Sequence, residues 1–288
     1  MNSDTKQPGA LGVAQIVVEG PDTVDYDQLF AASNGLRDPV LLSGMHTGGA
    51  ATETWTLDRL LALEPDTPVT AEYYFDADRR KPYEHIVMPF TELAAAMAAD
   101  PEKWYIAELN FDEVFPKVAA ELQRLSVLPD DARSVLRLVF FGTNSASATH
   151  FHVRDQAILS HLKGEKRVIL AGPKATGQLA TNSKFGGRPQ FSTHGPEAGA
   201  DALECFTDLC GSEAVQVDIV PGDALFIPVQ WWHWVEGRGE NLSVTTFWRA
   251  SLREWAFPHP GIRSAVAVGL GETAKVVRGV TGRFKNAK

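Results

Sequence analysis

Three histidines in two distant parts of the chain have the residue type and spacing to hold a metal ion. His150 and His152 are separated by one residue, and His233 lies far downstream. Because side chains alternate between the two faces of a strand, His150 and His152 would share one face if this segment is extended. Imidazoles that leave other coordination positions open suit Fe(II) that activates oxygen. The alternative is a hydrogen-bonded histidine pair without a metal.

His233 lies in the most distinctive segment of the chain, Pro221-Gly222-Asp223-Ala224-Leu225-Phe226-Ile227-Pro228-Val229-Gln230-Trp231-Trp232-His233-Trp234. A Pro-Gly-Asp turn leads into a short apolar strand, which a second proline ends. The tryptophans around His233 would exclude water and fix the orientation of its ring, as the surroundings of a metal ligand must. The alternative is a histidine packed among aromatic side chains of the core.

Lys166 begins an apolar run, in Gly164-Glu165-Lys166-Arg167-Val168-Ile169-Leu170. A lysine that points into a barrel is costly unless it meets an anion, and a bound carboxylate would supply one. The alternative is a lysine at a strand end whose ammonium group reaches solvent. We expect the neighbouring Arg167 to be exposed.

Short strands must position these residues, because the pattern after residue 134 changes to β-branched and aromatic runs broken by Gly, Pro and Asn. The predicted strands are Val135–Phe141, Lys166–Ala171, Ala214–Val220, Ala224–Ile227 and Leu242–Trp248. Many short strands separated by turns predict a barrel or a sandwich.

Residues 13–130 are predicted to be mixed α/β, and residues 1–12 a loose tail. The predicted elements are a helix over Asp25–Ala32, a strand over Asp38–Leu42, a helix from Thr56, a helix over Pro89–Ala99 capped by Thr91, and a helix over Val114–Leu125 with Pro116 in its first turn. The chain from Leu252 onward is predicted to return to helix.

The composition excludes several functional classes. Hydrophobic residues make up 44% and charged residues 22% of the chain, as in an ordinary globular protein. The net charge of −9 and the lack of a long Lys/Arg run make nucleic acid an unlikely partner. No run of about 18 apolar residues is present to span a membrane. With no recognisable signal peptide, Cys205 and Cys210 are expected to be free thiols in the cytoplasm.

The segment from Gly222 to His233 resembles the second half of the JmjC-type, cupin-like 2-oxoglutarate oxygenases. The further similarities are Ser243-Val244 and Phe247-Trp248 after it, Gly164-Glu165-Lys166-Arg167 in the central strand, and the N-terminal pieces Trp55-Thr56-Leu57-Asp58, Met88-Pro89-Phe90 and Trp104-Tyr105-Ile106-Ala107-Glu108. The resemblance covers residues 25–250. It implies an all-β core with flanking helices, folded as a double-stranded β-helix (jelly-roll), with an α/β flank at 13–130 and the core at 131–250.

The family binds Fe(II) through a His-x-Asp/Glu pair and a distal histidine, and the resemblance assigns the distal position to His233. Aligning His150-Phe151-His152 with the pair replaces the carboxylate by His152 and implies a three-histidine site. The alternative register makes His152 the first ligand and puts Arg154 at the acid position, with Asp155 standing in. The first register is preferred because an arginine cannot ligate a cation.

The resemblance also implies 2-oxoglutarate as cosubstrate. Lys166 would pair with its distal carboxylate, helped by Tyr105 and by a hydroxyl from Ser147 or Thr149. Thr246 would lie near the end of the cosubstrate that is closest to the metal.

The leading hypothesis is therefore an Fe(II)- and 2-oxoglutarate-dependent hydroxylase of a peptide, a protein side chain or a small metabolite. A three-histidine oxygenase that does not use 2-oxoglutarate would show a solvent-facing Lys166, and a non-catalytic metal- or acid-binding protein is the third possibility. We expect Lys174–Gly211, rich in Gly, Ser and Thr, to form a substrate lid. The helical segments Ile262–Leu270 and Lys275–Val280 are expected to serve a homodimer.

Overall fold

The structure is a computed structural model that describes residues 13–18, 23–49, 56–75, 83–120, 122, 124–179, 190–192, 194–196, 201–211 and 214–255. The expected tail over residues 1–12 and the helices predicted over Ile262–Leu270 and Lys275–Val280 lie outside the described residues. None of the helices within the described ranges is long and apolar enough to cross a bilayer.

The core is built from strands, as the pattern after residue 134 predicts. The strands of the described residues are Ala14–Val17 (β1), Val40–Ser43 (β2), Pro68–Tyr74 (β3), Tyr83–Pro89 (β4), Trp104–Asn110 (β5), Leu136–Thr143 (β6), His150–Phe151 (β7), Asp155–Ala171 (β8), Ala214–Ile219 (β9), Ala224–Ile227 (β10) and Trp232–Arg249 (β11). Hydrogen-bonded neighbours follow the order β1-β2-β10-β8-β11-β6-β5-β3-β4, with β7 paired to β11 and β9 paired to β8. This β-rich core with flanking helices confirms the expected jelly-roll architecture.

Two long strands run through both halves of the core. The first half of β8 pairs with β10 and with the second half of β11, and the second half of β8 pairs with β9 and with the first half of β11. The ladder is irregular between Arg238 and Ser243, opposite Gly164, whose φ of +84° favours glycine. A Cβ on Gly164 would lie 2.3 Å from the carbonyl oxygen of Glu240, so the crossing of the two strands requires this glycine.

Helices flank the strands on the N-terminal side and beside β9. They are Tyr26–Ala32, Leu57–Leu63, Phe90–Ala99, Phe111–Val114, Pro116–Ala119, Thr176–Leu179 and Ala202–Cys210, with a 3-10 turn at Pro173–Ala175. Side chains cap the first two: Asp25 accepts a hydrogen bond from the Gln28 amide at 2.9 Å, and Thr56, from which the second helix is predicted to start, accepts one from the Arg59 amide at 3.2 Å.

Two helix predictions are wrong in detail. The helix predicted to be capped by Thr91 begins one residue earlier, at Phe90, because β4 runs directly into it and Pro89 occupies the cap without a side-chain hydrogen bond. The helix predicted over Val114–Leu125 is instead the two short helices around Phe115. Pro116 disfavours the helical conformation in the residue before it, so the chain breaks at Phe115 and restarts at the proline.

The alternation of side chains divides the sheet residues between two apolar layers. The interior layer is formed by Ala157, Leu159, Val168, Leu170, Val217, Ile219, Leu225 and Ile227, with Phe247 packed against it. The opposite face of β6 and β11 contributes Val139, Phe141, Leu242 and Val244 to a second layer, which packs against the helices Phe90–Ala99 and Phe111–Val114. Which face a residue occupies therefore decides whether it can reach the interior of the barrel.

Candidate metal centre

The fold brings the three predicted histidines together. Strand β7 pairs with the start of β11, so that His150 lies opposite His233 and Phe151 lies opposite Trp232. One ring nitrogen from each of His150, His152 and His233 lies within 4.8 Å of the others. The ring centroid of His233 is 4.2 Å from that of His150 and 4.5 Å from that of His152. The three nitrogens are therefore close enough together to bind one metal ion.

Backbone carbonyls orient two of the rings. Nδ1 of His150 lies 2.8 Å from the carbonyl oxygen of Ala148, and Nδ1 of His233 lies 3.0 Å from that of Trp231. A carbonyl only accepts, so Nδ1 carries the hydrogen in both rings and Nε2 keeps its lone pair. Nδ1 of His152 is buried with no hydrogen-bond partner among the described residues.

All three imidazoles are neutral at physiological pH. Burial and, to a smaller extent, the neighbouring His150 together lower the pKa of His152 to about 3. Burial also lowers the pKa of His150 and of His233. The carboxylate of Glu108, an exposed residue with a φ of 56° at an irregularity of β5, acts in the opposite direction on His150. Neutral imidazoles offer lone pairs to a cation without first losing a proton.

Phenylalanines, rather than the predicted tryptophans, form the aromatic walls of this centre. Phe191 stacks on His150 at 5.3 Å with an interplanar angle of 20°, and Phe247 meets the His152 ring edge-on at 5.0 Å. Trp232 and Trp234 alternate with His233 along β11 and pack into a cluster on the other face. The expectation that tryptophans surround the His233 ring is corrected in this respect.

A tight turn sets the position of His233. Gln230 has a φ of 72°, and its amide donates to the carbonyl oxygen of His152 at 2.9 Å. The amide of Val229 donates to Oε1 of the buried Gln156 at 2.8 Å. The turn before β11 is thus hydrogen-bonded both to His152 and to β8, which fixes the position of His233 relative to His152.

Lys166 points into the barrel, as its place in an apolar strand predicts. The residue is 6% exposed, and Nζ donates to Oγ of Ser243 at 2.6 Å. Burial lowers the pKa of Lys166 to about 7. No carboxylate forms an ion pair with Lys166 within the described part of the chain. The solvent-facing lysine that would indicate an oxygenase without 2-oxoglutarate is not what the fold contains.

Tyr105 shares the interior face with Ser243. Tyr105 pairs with Gly142 on β6, and Gly142 in turn lies opposite Asn241, two residues before Ser243. The half-buried ring of Tyr105 covers Gly142 so closely that a Cβ there would lie 2.6 Å from its Cδ2. The glycine therefore makes room for the tyrosine that the sequence assigned to this end of the barrel.

Thr246 lies on the wrong face for the role predicted from the resemblance. Phe247 contacts His152, so Thr246 points to the opposite face, where it pairs with Ile158, which packs in the cluster that includes Phe226 and Trp248. Thr245 shares the interior face with Ser243 and Phe247 and is 5% exposed. A shift of one residue along a strand exchanges its two faces, and this is the reason for the correction.

The two hydroxyls proposed to assist Lys166 differ in their bonding. Oγ of Ser147 accepts a hydrogen bond from the Val235 amide at 3.0 Å, so it holds β11 in place. Oγ1 of Thr149 is buried and has no hydrogen-bond partner among the described residues. A Cβ on Gly195 would lie 3.1 Å from that oxygen. Of the two, Thr149 has the hydroxyl without any hydrogen bond among the described residues.

The alternative ligand Asp155 takes no part in the histidine cluster. Its carboxylate accepts a hydrogen bond from Nε of Arg249 at 2.8 Å within an ion pair. The register that places His150 and His152 together agrees with the geometry, whereas the register that uses Asp155 does not.

The segment predicted as a lid contributes to this centre through three described residues. Gln190 and Ser192 bond to the backbone of Phe151 and Thr149 at 3.1 and 2.9 Å, and Phe191 forms a bridge with His150. The rest of Lys174–Gly211 includes the helices Thr176–Leu179 and Ala202–Cys210, while residues 180–189 and 197–200 lie outside the described part.

The donor set fits a divalent transition metal. Three neutral imidazoles whose ring nitrogens lie within 4.8 Å of one another are ligands that Fe, Zn, Cu and Ni accept, and hard cations such as Mg²⁺ prefer oxygen. No carboxylate joins the three nitrogens among the described residues. The arrangement can hold a metal on one side and leave the other side open to ligands.

Several residues in and around the centre receive no functional role from the sequence. They are Gln156, His161, Phe191, Ser243 and Thr245. Phe191 and Gln156 reach the histidines through pairing between distant segments, which one sequence does not reveal. A period-two reading from Phe247 would have found Thr245 and Ser243 on one face.

Comparison with known proteins agrees with the fold. A model of the cupin-like domain matches residues 27–254. The chain is 25% identical over 243 residues to the lysine-specific demethylase JMJ21 of Arabidopsis thaliana, which covers 79% of this chain and 25% of that protein. It is 25% identical over 243 residues to tRNA wybutosine-synthesizing protein 5 of Gallus gallus, covering 74% of this chain and 71% of that protein. Jumonji C domain-containing protein 5 of Drosophila melanogaster is 29% identical over 106 residues, 36% of this chain and 25% of its own length. The chain spans 25% of the length of the first and third of these relatives and 71% of the length of the second.

Proposed function

Because the chain belongs to the family of cupin-like domains, of the JmjC type that its sequence resembles, we propose that it is an Fe(II)- and 2-oxoglutarate-dependent hydroxylase. The proposal depends on two groups inside one barrel. Three imidazoles have ring nitrogens within 4.8 Å of one another, and a buried lysine has no carboxylate partner among the described residues. A metal and an organic anion are the two ligands that such groups require.

His150, His152 and His233 would hold the metal. The carbonyls of Ala148 and Trp231 keep two of the rings in the tautomer that offers Nε2. Bound Fe(II) and 2-oxoglutarate would supply the oxidising power that inserts one oxygen atom of O2 into a C–H bond while the 2-oxo acid becomes succinate and CO2. Phe191 and Phe247 would exclude water from this reaction, since their rings cover His150 and His152.

Lys166 would bind the distal carboxylate of the cosubstrate. Burial removes water from the ammonium group and so disfavours its charged form. A bound carboxylate supplies an opposite charge, so binding would favour the charged lysine. Tyr105 and Thr149 would donate to the same carboxylate, and Thr245, rather than Thr246, would donate to the part nearer the metal. The burial of these side chains would select a ligand that fills the barrel.

A three-histidine oxygenase without 2-oxoglutarate is the second candidate. It is favoured by the ligand set, because no carboxylate joins the three nitrogens among the described residues. Neutral ligands leave the site one unit more positive than a His-x-Asp site, which alters its redox behaviour. The buried Lys166 argues against this candidate, since it would then face no anion.

The substrate would be a peptide, a protein side chain or a small metabolite. Two relatives are named for lysine demethylation and for the synthesis of wybutosine in tRNA, which suggests a protein side chain or a nucleobase. The net charge of −9 favours the protein side chain. We place the reaction in the cytoplasm.

The test is metal content followed by turnover. Protein loaded anaerobically with Fe(II) should bind one ion per chain and convert 2-oxoglutarate to succinate with uptake of O2. His233→Ala should lose both properties, whereas His85→Ala, a change at an exposed histidine of β4, should keep them. A wild-type protein that binds no iron, or that binds iron and consumes no 2-oxoglutarate with any candidate substrate, would contradict the proposal.

A further inference from the structure

His161, Lys166 and Ser243 form a second polar group on the interior face, here called the inner polar cluster. His161 lies directly opposite Ser243 in the pairing of β8 with β11, and Nζ of Lys166 donates to Oγ of Ser243 at 2.6 Å. His161 and Ser243 are 0% exposed and Lys166 is 6% exposed. The cluster has no part in the metal centre itself, and the sequence motifs do not account for His161.

The ring of His161 has one used and one unused nitrogen. Nε2 lies 2.8 Å from the carbonyl oxygen of Gly164, so Nε2 carries a hydrogen and donates it. Nδ1 is buried and has no hydrogen-bond partner among the described residues. A buried polar atom that the fold leaves unbonded indicates a partner that is supplied from elsewhere.

The inner polar cluster contains possible cations and lacks an anion. The charge of Lys166 acts on His161 and, together with the larger effect of burial, lowers the pKa of His161 to about 3. The neighbouring strands β9 and β10 contribute only apolar side chains to this layer, and β11 contributes Thr245 and Phe247 besides Ser243. A carboxylate would accept hydrogen bonds from Lys166, from Ser243 and from a His161 ring protonated at Nδ1, because its two oxygens accept about four hydrogen bonds.

We propose that His161 is a positioning and specificity-determining residue for the cosubstrate, and that it donates from Nδ1 to the distal carboxylate that Lys166 and Ser243 also bind. The inference rests on the proposed function, which supplies a dicarboxylic 2-oxo acid. When the carboxylate enters, His161 takes up a proton from solvent and donates from both nitrogens, to Gly164 and to the ligand. The consequence is preference for a 2-oxo acid with a second carboxylate over one without it.

Two substitutions separate this role from a structural one. The amide nitrogen of glutamine reaches the position of Nε2, so His161→Gln keeps a donor for Gly164 and removes the group at Nδ1. The amide nitrogen of asparagine reaches the position of Nδ1, so His161→Asn keeps a donor for the ligand and loses the bond to Gly164.

Two ligands separate the distal contact from the metal contact. N-oxalylglycine, an unreactive analogue of 2-oxoglutarate, has both the metal-binding end and the distal carboxylate. Oxalate has the metal-binding end alone. Binding of each ligand to the full-length Mn²⁺-loaded protein is measured by calorimetry, for the wild type and for both variants, with thermal melting as the check on folding.

We expect His161→Gln to weaken the binding of N-oxalylglycine by about tenfold, as the loss of a charge-assisted hydrogen bond predicts. We expect its affinity for oxalate to stay within about twofold of the wild type, and His161→Asn to recover part of the loss. The inference is overturned if His161→Gln leaves the affinity for N-oxalylglycine unchanged, or if it weakens both ligands equally.

The proposed function fails in a different way. In that case the wild-type protein binds Mn²⁺ and oxalate but not N-oxalylglycine, and the inference fails with it. If the wild type and His161→Gln bind N-oxalylglycine equally tightly, the proposed function stands and only the role of His161 is rejected.

Discussion

Lys166 is a cation placed where the described residues offer it one hydroxyl and no carboxylate. An ammonium group in such surroundings destabilises the folded protein, because it must be buried either charged or deprotonated. A residue that costs stability and contributes no ion pair is typical of a binding site, where the ligand completes the environment. The pKa of about 7 describes the ligand-free barrel.

Lys166→Met should therefore stabilise the ligand-free protein and abolish binding of the dicarboxylate. The pKa of Lys166 falls from 10.5 in the unfolded chain to about 7 in the folded protein. The unfolded chain binds the extra proton between these values, so the cost is fully present below pH 7 and vanishes as the pH rises through 10.5. One pKa unit corresponds to about 1.4 kcal/mol, so the gain near neutral pH should be a few kcal/mol.

Thermal melting of Lys166→Met and of the wild type from pH 6 to 10, a range of about four pH units, measures the gain in stability and its decline as the pH rises. Lys163→Met is the matched control, because Lys163 lies on the same strand, is partly exposed and pairs with Glu240. A gain that is the same at every pH, or a gain equal to that of the control, would contradict the assignment.

Thr245→Val and Thr246→Val test which face of β11 meets the cosubstrate. Both residues are buried, at 5% and 2% exposure, and they differ in the face that they occupy. Thr245→Val should weaken N-oxalylglycine by about threefold to tenfold through loss of one hydrogen bond, whereas Thr246→Val should leave binding unchanged. Calorimetry on the metal-loaded variants decides this, and the reverse order of effects would restore the assignment of Thr246.

At the scale of elements, the metal centre depends on a turn and on a two-residue strand. Strand β7 is too short to hold its own position, so His150 and His152 are placed by pairing with β11 and by the bonds from Gln190 and Ser192. Gln156 connects the turn before β11 to β8 by accepting a hydrogen bond from the Val229 amide. Residues that act through the frame of a metal centre commonly change metal affinity by 10- to 100-fold, an order of magnitude or two.

Gln156→Leu should lower the affinity for metal by about tenfold, because the Val229 amide loses its acceptor and the turn that carries His233 loosens. Competition with a fluorescent chelator measures the affinity. Glu254→Gln is the control, since Glu254 accepts from the other end of the Gln156 amide at 3.0 Å and has no bond to the turn. Equal losses in both variants would indicate a general effect on folding.

The sequence allows much of this element arrangement to be predicted. Periods of hydrophobic residues predict the strands after residue 134, and the Pro-Gly-Asp turn predicts where β10 begins. Pairing between distant segments is absent from such patterns, so only the later parts of β8 (Lys166–Ala171) and β11 (Leu242–Trp248) are predicted as strands. For the same reason nothing in the sequence relates Phe191 to His150. Thr246 shows the other limit: an assignment that is off by one residue along a strand moves a side chain to the opposite face.

At the scale of the whole molecule, folding and ligand binding are coupled through the interior of the barrel. His150 and His152 lie in and just after β7, and His233 lies opposite His150 near the start of β11, so a bound ion joins segments that are distant in sequence. A ligand that binds only the folded state stabilises it in proportion to the logarithm of its concentration above Kd.

Metal and dicarboxylate should therefore raise the melting temperature in sequence. A hundredfold excess of free metal over Kd contributes about 2.7 kcal/mol, and N-oxalylglycine should add a further increment only when metal is present. A chelator should reverse both increments, and His233→Ala should show neither. Melting temperatures measured in the four combinations of ligands test this, and an increment from N-oxalylglycine without metal would contradict the shared site.

Because β8 and β11 each run through both halves of the core, the chain can be cut once between β8 and β9 and still keep its fold. A cleavage after Leu179 leaves β7 and β8, with two of the histidines, on one fragment, and β9, β10 and β11, with the third, on the other. Neither fragment contains a complete interior face. The two fragments should associate only with each other, and a metal ion bound by histidines from both would link them.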